Sequence, residues 1–257
     1  MYDYSFYQWL IFFYIYCFIG WCIESTFVSV KSRKFVNRGF LRSPMLPIYG
    51  CGAIAILFVS LPVEKSPVLV FLCGMTAATI LEFITGWLME HLLKMKCWDY
   101  SNERFNLKGY VCLQCSLCWG GLSLFLTYFL HSCVERLVLH MSDTAIIVVD
   151  CIVTVIFLTD LVYAIRTAIN VNKLLAAITS IKSEIAALKE ELSQRLEESE
   201  KVAALNARIE KLRADRINIT EKIGFFKKDF IRANPTAKSR WFNEALEELR
   251  ERIGKKS

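Results

Sequence analysis

Five apolar runs, each close to the length of a bilayer-spanning helix, fill the first two thirds of the 257-residue chain. They fall at approximately residues 6–30, 44–61, 68–93, 109–131 and 145–165. Crossing a hydrocarbon core in a helix takes about 20 mainly apolar residues. Because lipid offers no partner to a backbone amide, such a chain must build helices that satisfy their own hydrogen bonds. The sequence therefore predicts an all-α fold, with a polytopic membrane helix bundle of about five transmembrane helices over residues 1–168. The second run is the shortest and opens on Pro44, Pro47, Gly50 and Gly52, so its first turns are expected to be irregular. The first run has no basic leader and holds Gly20, Trp21 and Glu24 in place of a small-residue cleavage site, so it reads as a retained span.

Charge divides the chain. Residues 1–165 carry eleven Lys/Arg against eleven Asp/Glu, and residues 166–257 carry twenty against fourteen, so the net charge of +6 belongs to the tail. There the basic residues alternate with acids, the pattern of a solvated helical face and not of a nucleic-acid patch. Topology follows from the basic residues of the short loops. The first loop holds Lys31, Arg33, Lys34, Arg38 and Arg42, and the third holds Lys94, Lys96, Arg104 and Lys108. The other side has Lys65 and Arg136 alone. Five spans with an outside N-terminus put both basic loops and the tail in the cytoplasm, as for a multi-pass protein of the plasma membrane, where the lipid bilayer itself is the first partner. Most of the ten cysteines sit in apolar runs, where a free thiol behaves as a small hydrophobe.

The tail is expected in two parts. In residues 169–232, Leu174, Ile178, Ile181, Ile185, Leu188 and Leu192 alternate spacings of four and three, as do Leu205, Ile209, Leu212 and, after Arg216, Ile219 and Ile223, following a polar interruption near residues 193–201. That is the seam of a coiled coil, formed by self-association or with a partner helix, and the phase slip permits either one rod or a helical hairpin. Asn234-Pro235 then makes a turn, and Trp241, Phe242, Leu246, Leu249 and Ile253 form the stripe of a short amphipathic helix within residues 233–257.

Charged groups inside a bilayer pair, face a cavity or serve a function. Glu24 lies near the inner end of the first span, and Glu82 lies near the middle of the third, with Glu90 eight residues later and about 80° around the helix at 100° per residue. The adjoining loops add Asn37, Arg38, Tyr49, Trp98, Asp99, Tyr100 and Asn106, nearly all on the side assigned to the cytoplasm. These ten residues are the candidates for a substrate-binding or polar site, with the acids beside Arg38 as a nearby cation; no catalytic residue is assigned. The alternative is structural: Arg38 neutralises one acid, and the rest hydrogen-bond within the bundle. Asp150 and Asp160 of the fifth span sit at different depths and faces, either as a proton or cation ligand or paired with hydroxyls or Arg166.

The run Cys112, Cys115, Cys118 has no fourth Cys or His at a usual metal-ligand distance and reads as small-residue helix packing. Gly254-Lys255 lacks the earlier glycine of a phosphate-binding loop, HExxH and GxSxG do not occur, and His91, His131 and His140 have no ligand spacing. No metal and no cofactor is implied.

Gly20-Trp21 with Glu24, then Asn37-Arg38-Gly39-Phe40-Leu41, Pro44 and Pro47-Ile48-Tyr49-Gly50 with Gly52, resemble a bacterial membrane-protein family described as putative ABC-transporter type IV, or CmpB-like. So do Glu82-Phe83-Ile84-Thr85-Gly86 with Met89-Glu90, Trp98-Asp99-Tyr100-Ser101, Phe105-Asn106, Gly109 and Trp119-Gly120. The resemblance covers roughly residues 10–125 and departs from the pattern at Arg42-Ser43 and at Cys97. It implies a permease-like transport role in the bacterial inner membrane, handling a small molecule or lipid at the cytoplasmic side beside a separate ATP-binding subunit. Two other readings compete. One is an intramembrane enzyme acting on a lipid or isoprenoid, with a Glu or Asp as base and Arg38 on a phosphate headgroup. The other is a membrane-anchored scaffold that works through its coiled coil.

Overall fold

A computed structural model describes residues 4–194, 199–221 and 223–255. Among the described residues the regular structure is helical apart from one two-residue ladder. In order come α1 (Phe6–Ser32), α2 (Pro47–Ser60), α3 (Pro67–Leu93), β1 (Asn106–Leu107), β2 (Val111–Cys112), α4 (Leu113–Phe125), α5 (His131–Leu139), α6 (Asp143–Gln194), α7 (Ser199–Glu221), α8 (Phe225–Ala233) and α9 (Asn243–Lys255). Antiparallel β1 and β2 pair Asn106 with Cys112 and Leu107 with Val111. A π-helical turn at Leu126–Leu130 joins α4 to α5.

Among the described residues four helices are long and apolar enough to cross a membrane: Phe6–Ser32, Pro67–Leu93, Leu113–Leu139 and Asp143–Ser193. The second run expected as a span forms only a shorter apolar helix, Pro47–Val63, whose last turn is 3-10. The reason lies in the chain before it. Residues 33–46 fold back along one stripe of α1, where the Ser29 and Ser25 hydroxyls accept the Val36 and Arg38 amides at 2.9 and 3.1 Å. Further down, Trp21 Nε1 donates to Asn37 Oδ1 at 2.6 Å and the Leu46 amide to the Cys17 carbonyl at 3.0 Å. Irregular backbone persists within a bundle where protein groups satisfy it. Proline then starts α2 level with the middle of α1 rather than with its end.

Glycines set the helix crossings. A Cβ on Gly20 would stand 2.3 Å from Tyr49 Cγ, and one on Gly50 would stand 2.4 Å from Cys17 Sγ, so α1 and α2 meet at backbone distance. Gly74 against Ser123 and Gly120 against Phe71 bring α3 and α4 together in the same way. One apolar core gathers Ile11, Phe12, Leu57, Ala78, Leu126 and Ile146 from α1 to α6.

α6 runs unbroken from the bundle into the tail, through residue 168. α7 then returns along it: Arg208 NH2 meets Glu184 Oε1 at 2.7 Å, and Ile223 joins Val171 and Leu175 in one core. Much of the apolar seam expected of a coiled coil is thus buried within a single chain, with Ile178, Ile185, Ile209 and Ile223 all covered. Much of the expected phase slip, at residues 195–198, lies outside the described residues. Leu246, Leu249 and Ile253 of α9 complete this second core, which reaches Leu93 and Met95 at the end of α3.

Candidate functional site

α3 presents Glu82 and Glu90 on its inward stripe, 6% and 5% exposed, with Gly86 between them. The missing side chain at Gly86 makes room for two rings: a Cβ there would stand 3.1 Å from Tyr110 and 3.4 Å from Trp98. Each carboxylate is met by aromatic donors. Glu82 Oε1 accepts the Tyr100 hydroxyl at 3.2 Å and Oε2 accepts Trp119 Nε1 at 2.9 Å. Glu90 Oε2 accepts the Tyr110 hydroxyl at 2.6 Å and faces Lys96 Nζ at 3.5 Å. A buried carboxylate in low dielectric requires such donors.

The loop after α3 is built to deliver them. Asn106 holds it closed, donating to the Ser101 and Glu103 carbonyls at 3.2 and 2.8 Å and accepting the Gly109 amide at 3.1 Å. Asp99 Oδ1 accepts the Ser101 hydroxyl at 2.5 Å. At Gly109 φ is +73°, and a Cβ would stand 2.4 Å from Ser101 Oγ and 2.7 Å from Asp99 Oδ1, so only glycine fits. Trp98 Nε1 donates to the Tyr110 carbonyl at 2.8 Å. Burial, followed by the charge of Glu82, holds the Tyr100 phenol protonated well above its ordinary range. Burial and the Glu90 hydrogen bond push Tyr110 up to about 12. Both phenols are therefore standing donors at neutral pH.

Glu24 of α1 joins the same region. Its Oε1 lies 3.7 Å from Arg38 Nε, and its Oε2 accepts the Tyr49 hydroxyl at 3.5 Å. The Tyr49 ring in turn lies 6.4 Å from that of Trp119, which connects Glu24 to Glu82. Arg38 also donates to the Ala233 carbonyl at 3.1 Å and to Thr236 Oγ1 at 3.0 Å, tying the acid cluster to the tail. Asn37 stands apart as a strut between Trp21 and the Arg42 carbonyl.

The ten candidate residues thus divide into three groups. Glu24, Arg38, Tyr49, Glu82 and Tyr100 are linked through Tyr49 and Trp119, Glu90 and Trp98 meet Tyr110 further along α3, and Asn37, Asp99 and Asn106 shape the two adjoining loops. The sequence pattern does not mark Tyr110, counts Lys96 only as a loop charge and holds Trp119 only within a motif, although Tyr110 and Lys96 meet Glu90. It also left out the tail residues that close this end. Asn234 Nδ2 donates to the Gly39 carbonyl at 3.3 Å, Thr236 to Cys97 at 3.1 Å, and Ser239 to Lys94 at 2.8 Å. Lys96 and Lys238 exchange backbone hydrogen bonds at 2.8 Å. No signal for this docking exists in the local pattern, because polar residues after a turn read as solvated.

Asp160 and Asp150 part company. Asp160 Oδ2 accepts the Arg42 and Ser43 amides at 3.0 and 2.7 Å and the Ser43 hydroxyl at 2.6 Å. Asp150 is 2% exposed, and among the described residues neither of its oxygens has a hydrogen-bond partner. His131 is buried between Tyr16 and Tyr4, at 2.8 and 3.1 Å. Cys112 caps α4, its sulfur accepting the Cys115 amide at 3.4 Å, while Cys118 is exposed. Among the described residues no group of three or more His, Cys, Asp or Glu is placed to hold a metal ion.

Long apolar helices that meet at glycines define an α-helical membrane protein. More narrowly, the chain belongs to the family described as putative ABC-transporter type IV, whose profile matches residues 11–165. That match takes in the helices from α1 into α6 and ends where the tail begins. No curated protein and no solved structure gives a match.

Proposed function

We propose that this chain is a permease-type component of the plasma membrane that engages a small molecule or a lipid from the cytoplasmic side, at the Glu24–Tyr49–Trp119–Glu82 cluster. The observation that carries the reading is Glu82, a buried acid whose two oxygens are held by donors from two separate segments, Tyr100 before β1 and Trp119 of α4. Intramembrane acids are costly and are retained where they serve a path or a ligand. Glu24 and Arg38 supply a second acid and a cation at the same end. Nine basic residues in the first and third loops favour a cytoplasmic location for that end, with α2 as the short fifth crossing. The family description supports a separate ATP-binding subunit as partner. That partner docks on the short cytoplasmic loops or on the tail.

Glu82→Gln preserves shape and removes the charge. In cells lacking the chain, complementation with wild type restores the small-molecule and lipid profile, while Glu82→Gln, inserted at equal abundance, leaves the profile of the deletion. Full restoration by the variant sinks the reading. Orientation is checked separately with a membrane-impermeant amine reagent, which labels Lys65 and spares Lys34 in intact cells and does the reverse in inverted vesicles.

A further inference from the structure

Between the loop after α3 and the segment leading into α9 lies an open cleft of about 590 Å3. Its wall carries four cations, Lys96, Lys108, Lys238 and Arg240, against two carboxylates, Glu90 and Asp99. Two of the cations are already committed. Lys96 faces Glu90 at 3.5 Å, and Lys238 meets Asp99 at 3.0 Å. Among the described residues the side chains of Lys108 and Arg240 have no carboxylate partner, and both residues are exposed. Once the paired charges cancel, the cleft keeps two free cations.

The rim places this surplus at a particular depth. Trp87 is 44% exposed and continues the exposed strip of Ile84 and Leu88 on the outer side of α3. Trp241, also 44% exposed, rises from the tail on the other side, with Lys94 Nζ held 4.7 Å from its ring centroid. Tryptophan favours the headgroup level of a bilayer, where one edge is wet and the other apolar. A basic pocket at that level, beside the end of a span, suits an anionic headgroup.

We propose that this cleft binds a phosphate group through Lys108 and Arg240, presented either by a lipid headgroup or by a soluble phosphate. The pairing of Glu90 with Lys96 and of Asp99 with Lys238 keeps both carboxylates from repelling the anion. Arg240 comes from the tail and Lys108 from the loop, so the site is complete only when the tail is docked. Neither ligand belongs to the Glu24–Glu82 cluster, and the two readings fail separately.

The test uses the purified full chain in micelles containing equal amounts of phosphatidylglycerol and phosphatidylcholine, read by native mass spectrometry. Thermal unfolding with and without inorganic phosphate provides the second arm. With the charge of two residues removed, Lys108→Gln/Arg240→Gln is expected to retain phosphatidylglycerol about 30-fold less well than wild type. Lys31→Gln/Lys34→Gln removes the same charge from the other basic loop and is expected to leave retention unchanged. Preferential retention of phosphatidylglycerol, lost only in the first variant, identifies the lipid source. Stabilisation of wild type by inorganic phosphate, lost in the same variant and without lipid preference, identifies the soluble one. Should the double variant melt lower with no probe present, each single variant carries the comparison, with an expected loss of about fivefold. Equal behaviour of wild type and the cleft variants with both probes overturns the proposal, as does an equal loss in the Lys31/Lys34 control.

Discussion

A single carboxylate illustrates the local physics best. Glu82 sits 6% exposed in an apolar helix, and its burial is tolerable because the Trp119 indole and the Tyr100 phenol each donate to a different oxygen. Removing one donor to a buried charged group leaves desolvation uncompensated, at a cost of about 1–3 kcal/mol. Trp119→Phe is accordingly expected to lower stability by about 2 kcal/mol in wild type and by less than half of that in a Glu82→Leu background. Chemical unfolding in detergent measures both arms, and equal losses in the two backgrounds would mean that the indole acts only through packing. The acids themselves are plain in the sequence, since a charge in an apolar run is conspicuous. Their partners are not: Trp119 and Tyr110 look like ordinary aromatics until α4 and the loop are brought against α3.

At the scale of elements, two irregular segments do the positioning. The return along α1 explains why the second apolar run makes only a short helix, a feature that Pro44, Pro47 and the glycines signalled without showing its path. The other segment, the loop after α3, is fastened to the tail by Lys238 and Asp99. Burial opposes the charge on Asp99, but hydrogen bonds from Ser101 and Lys238 outweigh it and hold the carboxyl down at about 2. Because the folded value lies below the ordinary 3.8, this contribution is fully present above about pH 4 and fades as the pH falls toward 2. The difference in melting temperature between wild type and Asp99→Asn should therefore be constant from pH 7 to about 4 and shrink below that. A difference that persists unchanged at pH 2.5 would remove Asp99 as the titrating group.

For the whole molecule, the decisive event is the reversal of the tail. A rod would separate Lys182 from Lys211 by about 43 Å at 1.5 Å per residue. The Arg208–Glu184 pair puts them one residue out of register on facing helices. An amine-reactive cross-linker of short span is expected to join Lys182 to Lys211 within monomeric protein, identified by mass spectrometry of the digested band. Recovery of that link only from dimers would assign the seam to association between copies. The return also carries Asn234, Thr236, Lys238 and Ser239 onto the loops, so one end of the bundle is covered by its own C-terminal region.

Membrane residence and helical class are determined by composition along the chain, because lipid admits few other ways to satisfy so long an apolar backbone. The presence of acids within apolar runs and the heptad spacing of the tail are likewise local properties, readable residue by residue. Tertiary structure alone decided which helix meets the tail seam, which aromatic groups hold Glu82 and Glu90, and how deeply the first loop enters the bundle. The acid and tail contacts among them join residues from 18 positions apart, Glu82 with Tyr100, to 195 apart, Gly39 with Asn234, and no short-range pattern encodes a partner at such separations.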